Sequence, residues 1–284
     1  MSQRKGILYL AVCSLLWSTA GVLIKIIPWH SMIIGGLRSA IAGLVLWLAL
    51  LREGYKAPLI NRNTVCIGLY LGVSTVFFVA ANKLTTAANA IVLQSANPIF
   101  VLLFCALWYH QKFSRRDLIV VAVTMAGVGL FFLDQLSLDG IIGNCLALAS
   151  AILLALVFIR TSDAASLHES MSGIMLGHCV SVLCSLPFWF TNFPAFTLKP
   201  TLAILFLGVF QLGIPYALLG YASRLCSPLA VSLIGMLEPI FSPIWVALFI
   251  HEIPGPLALT GGVLVIITLT VWCVLNARDT AKQQ

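Results

Sequence analysis

Ile234-Gly-Met-Leu-Glu-Pro-Ile-Phe-Ser-Pro-Ile-Trp-Val-Ala-Leu-Phe249 is an apolar run with a single carboxylate, Glu238, at its centre. A stretch of this character suits hydrocarbon, and an ionisable residue inside a bilayer is costly enough to mark a pathway, a proton relay or a substrate site by default. The segment therefore points toward transport. The rest of the chain agrees: 61% of its residues are hydrophobic and 9% charged, whereas roughly a quarter are charged in soluble domains. Mean hydropathy is +1.05.

Apolar stretches long enough for one spanning helix each occur near 6–27, 31–51, 64–81, 86–108, 117–133, 140–160, 171–190, 200–219, 227–249 and 256–275. They predict an all-α polytopic membrane protein of ten transmembrane helices. The first stretch follows Arg4-Lys5 as a secretory signal would, but it has full span length and no convincing small-residue cleavage site, so it is read as a retained helix. With a cytoplasmic N-terminus, Arg4, Lys5, Arg52, Lys56, Arg62, Lys112, Arg115, Arg116, Arg160, Arg224, Arg278 and Lys282 all fall inside. Only Lys25, Lys83 and Lys199 fall near the outer face. That bias places both termini in the cytoplasm, in an inner or plasma membrane. The net charge of +7 is then topology and lipid contact; no nucleic-acid partner is expected.

The eight cysteines, at 13, 66, 105, 145, 179, 184, 226 and 273, sit mostly singly in apolar spans. Without the paired spacing of a zinc site or a disulfide framework, they read as small core hydrophobes. No metal and no cofactor is expected. Loops are short, and only 52–63, 162–169 and 191–199 have linker character.

An internal repeat carries the next step. Laying Asn82-Lys-Leu-Thr-Thr-Ala-Ala-Asn89 on Ser223-Arg-Leu-Cys-Ser-Pro-Leu-Ala230 brings Asn97-Pro98-Ile99-Phe100 onto Glu238-Pro239-Ile240-Phe241. The same register puts Ala106-Leu107 on Ala247-Leu248 and His110 on His251 without a gap. Arg38 and His178 correspond in a less secure register. Five helices per half is an odd number, so the halves, 1–137 and 138–284, enter the membrane in opposite senses. This is an inverted repeat, with the substrate site expected near the midplane where the halves meet.

Leu16-Trp17-Ser18 with Lys25, Leu37-Arg38, Asn97-Pro98, and Leu237-Glu238-Pro239-Ile240-Phe241 followed by His251-Glu252 resemble the EamA-type branch of the drug/metabolite transporter superfamily. The likeness covers essentially the whole chain. It implies export of amino acids or other small metabolites, with some members moving vitamins or cofactors, and it does not name the solute. Gln111 departs from the pattern, standing where the first half often carries a Glu like Glu252.

Pro98 and Pro239 occupy matching positions, and each lacks the N–H that would bond the carbonyl four residues back, at Gln94 and Gly235. A kink is expected at each. Paired interruptions in two halves point to a transporter site, although membrane helices also use proline for packing. At ~100° per residue, Asn82, Thr85, Thr86, Asn89 and Asn97 share a face. Ser223, Ser227 and Glu238 share its counterpart, and Ser14, Trp17, Ser18, Gly21 and Lys25 line a stripe of the first span. Serine and glycine stripes equally serve helix contacts. Trp17, Asn89, Asn97 and Gln211 are better suited to stacking on or hydrogen-bonding a ligand.

Glu238 is the one acidic residue placed deep in hydrocarbon. Desolvation disfavours a charged carboxylate, which makes it a coupling group or a cation partner; the other reading is a static cap or a salt bridge to Arg38. Arg38 lies roughly 10 Å of helix rise into the second span and needs Glu238, backbone carbonyls or a substrate carboxylate. His178 is either a proton-moving group or a packing residue, and His110, His251 and Glu252 are expected at solvated helix ends. The sequence holds no H-E-x-x-H, Walker A loop, G-x-S-x-G elbow or dinucleotide fingerprint, and no stretch suits a nucleotide domain, so an enzyme or ATP-driven pump is not expected.

The reading is a secondary transporter that works by alternating access between spans one, four, six and nine, coupled to protons through Glu238 with His178 assisting. Its substrate-binding residues are Trp17, Arg38, Asn89, Asn97, Gln211 and Glu238. Its partners are a small-molecule substrate and membrane lipid, in a monomer or homodimer. The alternatives are an uncoupled exchanger or uptake carrier for a vitamin-type metabolite and, from another class, a membrane scaffold or membrane-embedded enzyme.

Overall fold

The computed structural model describes residues 3–85, 87–131, 133, 140–191, 194, 196–242, 245 and 255–282. Thr86, His251 and Glu252, named above, lie outside the described residues, as do Ala247 and Leu248. The described chain is all helix and loop: α1 Gln3–Trp17, α2 Ala20–Ile26, α3 Ser31–Arg52, α4 Arg62–Leu84, α5 Ala87–Gln94, α6 Asn97–Tyr109 and α7 Arg115–Phe131. These are followed by α8 Ile141–Ser162, α9 Leu167–Thr191, α10 Leu198–Phe206, a π-helical segment Leu207–Gly213, α11 Ile214–Ala222, α12 Pro228–Gly235, α13 at 238–242 and α14 Pro256–Lys282. Among the described residues, six helical runs are long and apolar enough to cross a bilayer: Ser31–Arg52, Arg62–Leu84, Asn89–Tyr109, Ile141–Ser162, Leu167–Thr191 and Leu198–Ala222. Pro228–Ser242 and Leu259–Leu275 are shorter apolar helices.

Helix ends follow local chemistry. Asn61 caps α4 in a reciprocal box with Thr64, satisfying amides that have no intrahelical acceptor. Ser227 accepts from Ala230 N–H ahead of α12, whose first residue is Pro228, a position where the missing N–H costs nothing. His110 ends α6 exposed and in a left-handed conformation, φ 50°.

The centre of the molecule is a slab of α3, α4, α8 and α9. Gly68 and Gly72 on α4 face Gly173 and Gly177 on α9, and each glycine receives a side chain from the other helix. A Cβ on Gly173 would lie 2.8 Å from Ile67 Cβ, and one on Gly72 would lie 2.5 Å from Val180 Cβ and 2.8 Å from the Gly177 carbonyl oxygen. Small residues allow such approach where apolar attraction between helices is weak. Ser181 Oγ donates to the Gly72 carbonyl across the seam, 3.1 Å. To one side, α7 and α14 pair, with Trp272 Nε1 donating to Asp117 Oδ1 at 3.0 Å.

Against the slab stand three interrupted helices. α1 stops before Ser18-Thr19, α5 before Ser95-Ala96 and α12 before Met236-Leu237. The last two breaks fall just ahead of Pro98 and Pro239, at equivalent positions of the sequence repeat. Of the cysteines, Cys13, Cys105 and Cys226 are buried, but Cys145, Cys179 and Cys184 are exposed. Those three lie on exposed sides of α8 and α9, which corrects the expectation that the cysteines are chiefly core.

Candidate substrate cavity

At each break polar side chains bond to the backbone carbonyls, in some cases beside a backbone N–H. Ser18 Oγ donates to Leu15 O at 2.6 Å and Thr19 Oγ1 to Leu16 O at 2.7 Å. At the second break, Ser95 Oγ donates to Ile91 O, 2.7 Å. Asn97 Nδ2 donates to Gln94 O at 3.1 Å, the carbonyl that Pro98 deprives of its N–H. At the third, Ser14 Oγ reaches from α1 to Ile234 O, 2.9 Å. Irregular backbone at membrane depth persists only where it is buried in protein or lines a cavity, and here it lines one.

That cavity is walled by Trp17, Arg38, Gln94, Asn97, Gln211, Tyr216, Glu238 and Pro239, among others. A smaller extension toward Ile24, Asn82 and Ser242 shares Trp17, Glu238 and Pro239.

Arg38 on α3 is 2% exposed. Its Nη1 donates to Gln211 Oε1 at 3.4 Å, a long contact, and its Nε has no hydrogen-bond partner among the described residues. Glu238 acts on it electrostatically, yet among the described residues no ion pair within 4.0 Å joins the two. The static salt bridge considered from the sequence is therefore not made directly. Trp17 packs its ring against Tyr216, centroids 5.5 Å apart, and its Nε1 is buried without a partner among the described residues, as is Asn97 Oδ1.

Two expected site residues stand elsewhere. Asn89 donates to Asn144 Oδ1 at 3.1 Å and to Thr85 Oγ1 at 3.2 Å, joining α5 to α8 away from the cavity walls. His178 is 1% exposed, with both ring nitrogens unpartnered among the described residues. It lies behind the wall, edge-on to Tyr216 at 5.1 Å.

Sequence reasoning did not single out Tyr216, nor the triad in which Ser74 and Ser150 hydroxyls meet at 2.9 Å and Gln94 Nε2 donates to Ser150 Oγ at 2.8 Å. Tyr216 and Gln211 are five residues apart, so a regular helix would separate them by about 140° at ~100° per residue. The π segment, where Ile214 N–H reaches the Val209 carbonyl, widens the turn and brings both to the cavity. The tyrosine following Pro215 in an apolar span was the available signal.

The model of the EamA-like transporter family matches residues 4–133 and again 141–273. The chain belongs to that family. Among EamA-like proteins, the pseudopaline exporter CntI of Pseudomonas aeruginosa strain UCBPP-PA14 is 25% identical over 291 residues, covering 97% of this chain and 96% of its own length. CntI of strain PAO1 aligns to the same extent. A protein of known crystal structure superposes with a TM-score of 0.81 over 98% of this chain and 99% of its own; at 18% identity, the likeness concerns the fold. The chain is thus a multi-pass membrane protein of a transporter family.

Proposed function

We propose that the protein is a secondary transporter that exports amino acids or similar small metabolites across the inner or plasma membrane by alternating access, coupled to protons through Glu238. One observation carries the reading: a buried arginine and a carboxylate face one cavity at paired helix breaks without closing an ion pair on each other. A purely structural pair would join, because an isolated buried charge is expensive. Export is supported by the relatives named for it, and His178, edge-on to Tyr216 behind the wall, is the assisting group. In this scheme the chain has ten spans in two inverted halves, which rock about the α4–α9 seam while the interrupted helices flex at their breaks. Flux of radiolabelled amino acids from proteoliposomes, with and without an imposed pH gradient, tests it; equal flux in both conditions removes the coupling.

Topology follows from the Lys and Arg distribution. Reporters fused after Gln284 and within the 52–63 loop are both expected to read cytoplasm, and a C-terminus found outside rules out ten spans.

Asn97→Ala exposes the Gln94 carbonyl that its amide caps and removes an acceptor from the cavity, while Trp17→Ala removes a donor and a ring. Each is expected to raise the apparent KM several-fold with the folded protein still in the membrane, in line with ~0.5–1.5 kcal/mol net per hydrogen bond. Unchanged transport by both would assign these side chains to packing.

A further inference from the structure

We infer that the cavity is built for a zwitterion bound by both ends, its carboxylate on Arg38 and Trp17 and its ammonium on Glu238 and Asn97, an assignment that rests on the transport reading above. The polarity of the lining decides it. Arg38 and Trp17 can only donate, and Arg38 Nε and Trp17 Nε1 are buried at 2% and 7% residue exposure without partners among the described residues. These are free donors from α1 and α3.

Acceptors come from the two half-helices that begin at the breaks. An amide side chain can turn either way, and its orientation is read from its partners. Asn97 is fixed because Gln94 O can only accept: the Nδ2 donates to it, which leaves Oδ1, buried and without a partner among the described residues, as the group to meet a ligand. Glu238 occupies the equivalent place at the other break and contributes a carboxylate to the same cavity.

Among the described residues, the site therefore holds one fixed cation, Arg38, and one carboxylate, Glu238. Tyr216 on α11 is the further titratable group among the described lining residues, and α1, α4 and α6 present Trp17, Phe78 and Asn97. A ligand with only an anionic end would leave Glu238 and Asn97 Oδ1 unanswered. One with only a cationic end would leave Arg38 and Trp17 unanswered, and unpaired buried groups make such sites reject incomplete ligands strongly. A neutral dipolar ligand answers all four.

The test uses the purified full chain and thermal-shift titration with the twenty standard amino acids, followed by the α-amide and the N-acetyl derivative of those that stabilise it. The expected result is that at least one zwitterion stabilises the protein and that losing either end weakens it by about tenfold or more. Arg38→Gln should bring the amide to within about twofold of the parent while the N-acetyl penalty persists, and Glu238→Gln should reduce the N-acetyl penalty while the amide penalty persists. Amides or N-acetyl derivatives binding as well as their parents overturn the inference, as does the absence of any zwitterion that binds. A pH-driven efflux of some singly charged solute in that case would leave the transport reading standing. Should either variant fail to fold, the analogue series on the wild-type chain decides alone.

Discussion

Glu238→Gln is expected to reduce gradient-driven net efflux to background while solute-for-solute exchange continues. Glutamine keeps the size of the side chain and an acceptor oxygen but holds one protonation state, so a proton can no longer be carried through a transport cycle. Binding survives, weakened, because a neutral acceptor forms a hydrogen bond roughly half as strong as a charged one. Stability gives an independent reading. Breaking a closed buried pair costs about 3–5 kcal/mol, but among the described residues Arg38 bonds to Gln211 and stays more than 4.0 Å from the Glu238 oxygens. The loss on Glu238→Gln should accordingly stay below about 1 kcal/mol, and Arg38→Gln added to it should restore little. Transport across a series of pH gradients, with melting temperatures of both single variants and the double, checks the claim. Normal gradient-driven efflux by Glu238→Gln would remove the coupling role.

The second large effect belongs to the seam. Gly72→Ala sets a methyl 2.5 Å from Val180 Cβ and 2.8 Å from the Gly177 carbonyl oxygen, and neither atom sits at the end of a flexible side chain. Overpacking of this kind costs about 1–3 kcal/mol and forces helices apart. The expected outcome is a clearly lower Tm in detergent and a smaller yield of folded protein. Gly129→Ala on α7 serves as the control, since nothing lies within 4 Å of its added methyl; there the helix propensity of alanine, worth up to about 1 kcal/mol over glycine, leaves stability unchanged or slightly raised. Equal melting of the Gly72 variant and wild type would mean that α4 and α9 do not meet as described.

What could be read from the chain alone followed from properties local to a residue. Proline lacks its N–H wherever it stands, so the interruptions ahead of Pro98 and Pro239 were legible. A charge such as Arg38 or Glu238 in an apolar run is conspicuous without any knowledge of its neighbours. The break at Ser18-Thr19 was not anticipated, because it involves no proline and its carbonyls are met by the two hydroxyls themselves. Asn89 was placed with Asn97 by counting ~100° per residue through one continuous helix, but the break at Ser95-Ala96 resets the phase between them, and Asn89 turns to Asn144. Tyr216 escaped for the related reason that a π turn changes the count. Periodicity carries information only as far as the helix is regular, and the cavity lies where regularity ends.

The glycine seam also bears on how the chain comes to be assembled. α4 is made early, yet the partners that fill its notches, Leu176 and Val180, belong to α9, and its other broad neighbour is α8. Until those later helices enter the bilayer, the notched face of α4 has only lipid tails against it, which cannot follow so narrow a groove. The packing of α4 is therefore complete only once α8 and α9 are in place.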